Sequence, residues 1–389
     1  MRKHITFIVT KDCQLACKYC YLVGKNSQER MSIDTAKQAI DYILRHNDLF
    51  EEESVGFEFI GGEPCLEIDL IDGICDYIKK EMFRLNHKWF NNYIFGFTTN
   101  GINYASDKVQ KFIEKNKKHL DIGITIDGTK QKHDLNRVYK NSNKGSYDDV
   151  VKNIPLYISQ FPQANTKVTI SSADIPYIAE SVIHLYELGI HTVYINCVFE
   201  NVWKDGDDVL FEEQLMQLAE NIINNNLYQN HACSFFDEKI GKPLDVMRNN
   251  NWCGSGKMLS VDATGNFYPC TRFAQYSLRD KEAWIIGNIH DGIDKNKLRP
   301  FLTLDRCTQS SQECIDCEVA EGCAWCQGEN FDAAKTHTIY ERSTAICKMH
   351  KARVRANNYY WNKLYRKLEL EGLREEYEAN KRTMNPDVC

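Results

Sequence analysis

The sequence lacks the features of an exported or membrane-bound protein. No stretch of its 389 residues approaches the roughly 18 apolar residues of a membrane-spanning helix, and the mean hydropathy is -0.49. The N-terminal apolar run, Ile5 to Thr10, ends before charged residues and Cys13, and it is too short for the core of a signal peptide. We therefore predict a cytoplasmic protein with no membrane partner.

Excess positive charge is absent as well. Lys and Arg together number 48 and Asp and Glu 54, a formal charge of -6, whereas general binding to nucleic acid requires a basic surface. Lys348–Arg355 and the following Tyr359, Tyr360 and Trp361 mix basic and aromatic side chains, but their alternating charges favour a packed terminal helix. We predict no nucleic-acid partner.

Cysteine, in contrast, is abundant, with 16 residues. In the cytosol thiols stay reduced, and clustered cysteines bind metal more often than they pair with each other. A chain of this length also buries a full core without disulfides. The clustered cysteines are therefore candidate metal ligands.

The first 200 residues alternate between short β-rich runs and amphipathic helices. Strands are predicted at Ile5–Thr10, Phe57–Ile60, Ile94–Thr98, Ile122–Ile126, Val168–Ser171 and Val193–Val198. Helices are predicted from Ile33, after the cap Ser32, and over Leu70–Met82, Lys108–Lys115, Tyr147–Ile158 and Ile178–Leu188. Six strands that alternate with helices pair in parallel, as an α/β barrel or an open sheet, and the chemistry lies at the carboxyl ends of the strands.

After residue 200 the pattern changes. A turn-rich break at Trp203–Val209 and a helix over Phe211–Asn225 are followed by a Cys- and Gly-rich region with little periodicity. We predict four parts: a β/α unit over residues 1–200, a bridging helical region over 201–252, a loop-rich, metal-organised domain over 253–347, and a C-terminal helix and tail over 348–389.

The first cysteine motif, Cys13-x3-Cys17-x2-Cys20, directly follows the first predicted strand. Three thiolates can hold three irons of a [4Fe-4S] cubane and leave the fourth iron open to a small ligand, as a catalytic cluster requires. A zinc site and unconnected core thiols are the alternatives.

The motif resembles the signature of the radical S-adenosylmethionine (SAM) superfamily, C-x3-C-x-aromatic-C, with Tyr19 at the aromatic position. Further matches follow the next three predicted strands: Gly61-Gly62-Glu63-Pro64, Thr99-Asn100-Gly101 and Thr125-Ile126-Asp127-Gly128. The resemblance implies a partial (β/α)6 barrel that binds SAM and a [4Fe-4S] cluster with an open iron site. It also implies an external one-electron reductant of the ferredoxin or flavodoxin type.

The same resemblance implies roles for the strand-end residues. Gly61 and Gly62 let the backbone approach the amino group of SAM, and Glu63 adds negative charge there. The other implied contacts are Tyr19 with the adenine, Asn100, Thr125 and Ser171 with the ribose and carboxylate, and Arg137 with the carboxylate. Asp127 is a candidate acid–base group near the substrate. The alternatives are a turn former for Asp127 and a surface ion pair for Arg137.

A second set of cysteines lies in the C-terminal half. Cys253 and Cys270 flank Gly265, which indicates a hairpin that turns at Thr264-Gly265. Five more cysteines follow: Cys314, Cys317, Cys323, Cys326 and Cys347. The set is similar to the seven-cysteine SPASM domain of peptide-modifying radical SAM enzymes, which binds auxiliary iron–sulfur clusters. It departs from that pattern in having two residues, rather than three, between Cys323 and Cys326.

By this resemblance the seven cysteines hold two auxiliary [4Fe-4S] clusters. The implied ligands are Cys253, Cys270 and Cys326 for one cluster and Cys314, Cys317, Cys323 and Cys347 for the other. The first set is one thiolate short of four, so either Cys307 or Cys233 completes it or that iron is open to substrate. A zinc knuckle, or one cluster with one structural zinc, is the alternative.

The segments CAWCQGENF and ICKMHKARVRANNYYWNKLY look most like maturases of ribosomally made, Cys-rich peptides of the CXXX-repeat target group. The resemblance implies hydrogen abstraction from a precursor peptide by a 5′-deoxyadenosyl radical, followed by thioether crosslinks from Cys sulfur to carbon. The alternatives are an anaerobic sulfatase-maturing enzyme that makes formylglycine, carbon–carbon crosslinking or epimerisation of a peptide, and a non-catalytic iron–sulfur electron-transfer protein. No leader-binding domain is evident before the first motif, so we expect the leader to dock on the barrel, the bridge or a partner protein.

Overall fold

The computed structural model describes residues 2–46, 49–251 and 253–384. Trp252, which ends the predicted bridging region, and residues 385–389 of the predicted tail lie outside the described residues.

The chain contains short strands and longer helices in alternation. The strands are β1 (Arg2–Thr10), β2 (Ser54–Gly61), β3 (Tyr93–Thr99), β4 (Leu120–Ile124), β5 (Asn165–Ile170), β6 (Thr192–Cys197), β7 (Ala232–Cys233), β8 (Leu259–Val261), β9 (Asn266–Tyr268), β10 (Gly287–Asn288) and β11 (Gly292–Ile293). The α-helices are α1 (Ile33–Arg45), α2 (Ile68–Arg84), α3 (Asp107–Asn116), α4 (Lys130–Asn136), α5 (Tyr147–Val151), α6 (Ile154–Gln160), α7 (Ile178–Glu187), α8 (Asp207–Asn224), α9 (Lys295–Leu302), α10 (Gln312–Ile315), α11 (Gln327–Asp332), α12 (Cys347–Leu370) and α13 (Arg374–Met384).

The six strands predicted in the first 200 residues are confirmed, and they run parallel in two groups. β1, β2, β3 and β4 are neighbours in one sheet, while β5 and β6 pair in a second sheet with β7. Side-chain hydrogen bonds help to join the groups: the Thr166 hydroxyl accepts from Ile126 N at 3.0 Å and donates to Ile126 O at 3.2 Å. The predicted α/β fold with a partial barrel is confirmed, and the described strands do not close it.

The Cys-rich region adds four strands to the first sheet. The predicted hairpin is confirmed as β8 and β9, and it turns at Gly265, whose φ is +83°. β8 pairs in parallel with β1, with Ile5 opposite Leu259, and the sheet order is β11-β10-β9-β8-β1-β2-β3-β4. The strands of this predicted auxiliary domain therefore continue the sheet that carries the first cysteine motif.

Local sequence explains most helix ends. The Ser32 hydroxyl accepts from Thr35 N at 2.9 Å and caps α1 as predicted. One helix predicted over Tyr147–Ile158 is wrong, because Pro155 has no N–H to bond back to Val151 and the segment splits into α5 and α6. The predicted terminal helix is also interrupted, between α12 and α13, where Gly372 adopts a φ of +69°.

The core packs against the first sheet on both of its faces. Residues 5–10 of β1 are all buried, as is typical of a strand inside a parallel sheet covered by helices. Phe7 and Phe59 lie with ring centroids 6.0 Å apart, and so do Phe57 and Phe95. Within the described ranges, every helix is too short or too polar to cross a membrane.

Candidate active site and cysteine groups

The first thiol group, Cys13, Cys17 and Cys20, lies in the loop that follows β1. This loop is tied to the segment after α4 by backbone hydrogen bonds, for example Ala16 N to Val138 O at 2.8 Å. Electrostatic interactions link the Cys13 thiol to Cys17 and Cys17 to Cys20. Burial raises the pKa of Cys13 to about 11, so this thiol becomes a thiolate at neutral pH only with a cation beside it.

The two glycines at the end of β2, Gly61 and Gly62, pack against this loop. A Cβ on Gly61 would lie 2.2 Å from the Thr10 carbonyl oxygen. A Cβ on Gly62 would lie 2.1 Å from the Asp12 carbonyl oxygen and 2.9 Å from the Cys13 Cβ. Because no side chain fits there, the glycine pair sets the position of Cys13; its predicted approach to the amino group of SAM stays a prediction.

Glu63 joins the ends of β2 and β3. Its buried carboxylate accepts from the Thr99 hydroxyl at 2.6 Å, from Asn100 N at 2.7 Å and from Cys65 N at 3.0 Å. Burial raises the pKa of Glu63, and these hydrogen bonds oppose that rise. The Asn100 amide also donates to Gln14 Oε1 at 3.0 Å, which ties the end of β3 to the first cysteine loop.

Tyr19, Asp127 and Arg137 form a hydrogen-bonded chain beside the first thiol group. The Tyr19 hydroxyl donates to Asp127 Oδ2 at 2.5 Å and accepts from Arg137 Nη1 at 2.9 Å. Asp127 is fully buried, and its Oδ1 accepts from Thr169 N at 3.5 Å. Its acid–base role stays a prediction.

Arg137 is a buried cation with spare hydrogen-bonding capacity. Its Nε is buried and has no hydrogen-bond partner among the described residues. Burial opposes its charge, but Tyr19 and Cys17 outweigh burial and raise the pKa of Arg137. A charged guanidinium with an unpaired buried N–H fits an anionic ligand, such as the carboxylate of SAM.

Two other predicted SAM contacts, Ser171 and Thr125, form hydrogen bonds of their own. The Ser171 hydroxyl donates to Asp174 Oδ2 at 2.7 Å and caps the turn after β5. Thr125 donates its backbone N–H to Thr99 O at 2.9 Å, and its side chain is half-buried. The structure thus brings Tyr19 and Arg137 together, and it commits Ser171 to a local cap.

The C-terminal cysteines form two further groups. The second thiol group is Cys253, Cys270 and Cys326: the Ser255 hydroxyl lies 3.1 Å from the Cys253 sulfur and donates to Cys270 Sγ at 3.6 Å. Burial raises the pKa of Cys270 to about 12, and Cys253 and Cys326 add to that rise.

The third thiol group is Cys314, Cys317, Cys323 and Cys347, linked by electrostatic interactions among the four thiols. The Cys323 sulfur accepts from Arg342 Nη2 at 2.8 Å, and Arg342 also lies over the ring of Trp325 at 4.3 Å. A guanidinium bonded to a ligand sulfur stabilises its thiolate form.

The structure leaves the fourth ligand of the second thiol group open. Cys233 lies on β7 in the core, with Phe235 and Arg353 as its neighbours. The backbone N–H of Cys307 donates to Asn249 Oδ1 at 3.1 Å. In the described part of the chain, no hydrogen bond joins either thiol to the second group.

The donor chemistry of the three groups fits iron–sulfur clusters. Across the described ranges, no three His, Cys, Asp or Glu side chains are spaced to bind a single metal ion. Each iron of a cubane takes one cysteine, so cluster ligands stand farther apart than the ligands of one zinc ion.

Comparison with known proteins identifies the class. Residues 7–172 match the Radical SAM superfamily, and these residues hold the first thiol group and the strand ends described above. These residues form a radical SAM domain, and the chain is similar to anaerobic sulfatase-maturating enzymes.

Three proteins with similar sequences show the extent of the similarity. An uncharacterized protein of Methanocaldococcus jannaschii is 29% identical over 76% of this chain and 91% of that protein. The cysteine-type anaerobic sulfatase-maturating enzyme of Clostridium novyi is 31% identical, over 38% of each chain. The subtilosin biosynthesis protein AlbA of Bacillus subtilis is 22% identical over 87% of this chain and 70% of AlbA.

Two solved structures share the fold. One is anSMEcpe with bound AdoMet, with a TM-score of 0.68, 19% identity, and coverage of 92% of this chain and 99% of that one. The other is Streptococcus suis SuiB bound to the precursor peptide SuiA, with a TM-score of 0.60, 14% identity, and coverage of 89% and 76%.

Sequence reasoning missed a charged group between the first and second thiol groups. The Arg272 guanidinium lies over the ring of Tyr21, 4.1 Å from its centroid, and forms hydrogen bonds with Glu200. Arg272 and Tyr21 lie within two residues of Cys270 and Cys20, which is a signal in the sequence. That the two residues meet depends on the pairing of β8 with β1, which the sequence does not reveal.

Proposed function

We propose that this radical SAM enzyme is a peptide maturase that forms thioether crosslinks in a ribosomally made, Cys-rich precursor peptide. The observation that carries the proposal is the second thiol group: Cys253 and Cys270 share a contact with the Ser255 hydroxyl, and Cys326 interacts electrostatically with both. These are three thiols, and a cubane needs four ligands. An iron left open there would bind a substrate thiolate. The proposal includes two auxiliary [4Fe-4S] clusters, an external one-electron reductant and a cytoplasmic location.

The first thiol group would hold the catalytic cluster and its SAM. When bound, they supply a radical that removes a hydrogen atom from carbon. In this chain the charged Arg137 would bind the SAM carboxylate, Tyr19 would lie against the adenine, and Asp127 would hold Tyr19 in place. The Gly61-Gly62 turn and the Glu63 backbone N–H, which donates to Asp12 O at 2.8 Å, would fix the loop that carries Cys13.

The electron balance gives the second thiol group a role. Joining a Cys sulfur to a carbon removes one hydrogen atom from the carbon and one proton from the thiol, and one further electron must leave the peptide. Cys253, Cys270 and Cys326 would hold the acceptor of that electron. The relatives support a peptide substrate, because AlbA is a bacteriocin biosynthesis protein and SuiB is described bound to a precursor peptide.

The test is the reaction of the reconstituted protein with a synthetic peptide of regularly spaced cysteines, SAM and dithionite under anaerobic conditions. Mass spectrometry should show the loss of two hydrogens per crosslink, together with thiols that no longer react with an alkylating agent. Cys326→Ala should abolish crosslinking and keep SAM cleavage. Cys75→Ala, which changes a buried core thiol on α2, should keep both.

Formylglycine formation is the second candidate, favoured by the 31% identity to a sulfatase-maturating enzyme and the fold shared with anSMEcpe. A parallel reaction with a sulfatase-derived peptide tests it. An aldehyde product in that arm, with no crosslink in the Cys-rich peptide, would overturn the thioether proposal. If the reduced protein and SAM release no 5′-deoxyadenosine, both functions fail.

A further inference from the structure

Two arginines and two glutamates form a partly buried charge group next to the second thiol group. Arg272 lies 3.2 Å from Glu200 and 3.8 Å from Glu329, and Arg279 lies 3.7 Å from each of the same carboxylates. The exposed side-chain fractions are 17% for Arg272, 13% for Glu200 and 6% for Glu329, against 38% for Arg279. Solvent therefore screens Arg279 more than the other three.

Arg272 contacts loops that belong to two thiol groups. Its guanidinium stacks on Tyr21, the residue after Cys20, at 4.1 Å. Its Cβ also approaches Gly328, two residues after Cys326, so closely that a Cβ on Gly328 would lie 2.5 Å away. Arg272 itself follows Cys270 by two residues. Its position is therefore set by three loops, namely those that carry Cys270 and Cys326 and the first cysteine loop.

The charge of Arg272 is fixed. A guanidinium stays protonated at neutral pH, and this one lies 3.2 Å from the Glu200 carboxylate. Glu329, three residues after Cys326, places a carboxylate 3.8 Å from Arg272 Nη1, the same nitrogen that lies 3.2 Å from Glu200.

We propose that Arg272 and Glu329 set the reduction potential of the auxiliary cluster bound by Cys253, Cys270 and Cys326, with Arg272 raising it and Glu329 lowering it. Reduction adds negative charge to a cluster, so a nearby cation favours the reduced form and a nearby anion favours the oxidised form. The inference rests on the proposed function, since it requires a cluster at these thiols. Both are positioning residues, because they act on the cluster through their charge.

The test is a redox titration of the reconstituted protein followed by electron paramagnetic resonance, which reports each cluster separately. Arg272→Gln should lower the potential of the auxiliary cluster enough to change its oxidised-to-reduced ratio about tenfold, or about 59 mV for one electron. Glu329→Gln should shift the same potential in the opposite direction. The potential of the first cluster should move much less in both variants.

Potential shifts of opposite sign in the two variants distinguish an effect of charge from damage to the site, because a disturbed site would shift the potential of both variants in one direction. Arg279→Gln is the matched control: it removes a cation from the same two carboxylates at a more exposed place, and its shift should be well below that of Arg272→Gln. Shifts of equal sign, or no shift in either variant while the second thiol group holds its cluster, overturn the inference alone. If the unchanged protein holds no cluster at the second thiol group, the proposed function fails and the inference falls with it.

Discussion

The hydroxyl of Tyr19 donates a 2.5 Å hydrogen bond to the fully buried carboxylate of Asp127. Tyr19 is the aromatic residue of the first cysteine motif, so Asp127 fixes a side chain next to the proposed catalytic cluster. Asp127→Asn keeps the shape of the side chain but removes the charge-assisted hydrogen bond. We expect the dissociation constant for SAM to rise about tenfold, or about 1.4 kcal/mol, with iron content unchanged, as measured by calorimetry and iron analysis.

The same variant tests the acid–base role predicted for Asp127. If SAM binds as before and only product formation is lost, Asp127 acts on the substrate and not through Tyr19. Asp148→Asn, which changes an exposed carboxylate paired with Lys130, is the control and should alter neither quantity.

Gly62→Ala should disrupt the first cysteine loop. The added Cβ would meet the Asp12 carbonyl oxygen at 2.1 Å and the Cys13 Cβ at 2.9 Å, and the Asp12 backbone has no flexible side chain that could give way. We expect the variant to lose the iron of the first cluster and its SAM cleavage, while iron at the C-terminal cysteines remains.

Gly73→Ala is the matched control, because its Cβ would meet only the flexible end of Ile33, at 3.5 Å. Gly73 lies inside α2, where alanine is favoured over glycine by about 1 kcal/mol. This variant should keep its iron and gain stability. Full iron in Gly62→Ala would mean that the glycine pair does not position Cys13.

Local patterns predicted much of the fold, and long-range pairing accounts for the rest. Alternating apolar residues located the six strands, and the side chain of Ser32 located the start of α1. The break at Pro155 was visible in the sequence and should have divided the predicted helix. The pairing of Ile5 with Leu259 left no local signal, because each strand alone is compatible with many partners.

The candidate site, like the fold, could be predicted from the sequence only in part. The cysteine spacing and its resemblance to a known signature identified the ligand candidates, and the structure brings them into three groups. The cap of Ser171 on Asp174 joins residues three apart, so the Ser-x-x-Asp spacing in the sequence indicates it. The stacking of Arg272 on Tyr21 depends instead on where separate strands end, and it follows from tertiary structure and not from spacing along the chain.

His133 should make the protein sensitive to acid. Burial, reinforced by Arg137, lowers the pKa of His133 from 6.5 to about 3, and its Nδ1 accepts from Asp127 N at 3.2 Å. In the unfolded chain His133 takes up a proton near pH 6.5, whereas in the folded chain it does not. The free energy of unfolding is therefore at its full value above that pH and decreases as the pH falls below it. Between pH 7 and pH 5 the loss is about 2 kcal/mol.

Urea unfolding at both pH values checks this prediction. His133→Gln should reduce the loss of unfolding free energy between pH 7 and pH 5 by about 2 kcal/mol. His290→Gln, at an exposed position, should leave that loss unchanged. Equal acid sensitivity in the parent and in His133→Gln would show that another group causes it.

The buried ion pair of Lys132 and Asp174 should hold the end of β5. Both side chains are fully buried, with Lys132 Nζ 3.5 Å from Asp174 Oδ1 and 3.2 Å from Thr169 O. Lys132→Met leaves a buried carboxylate without its cation, which costs about 3–5 kcal/mol, and urea unfolding should show this loss. Adding Asp174→Asn should restore part of the loss, because the amide keeps an oxygen for the Ser171 cap without the charge. The surface pair of Lys130 and Asp148 provides the comparison: Lys130→Met should cost much less than Lys132→Met, and an equal cost for the two lysines would contradict a structural role for the buried pair.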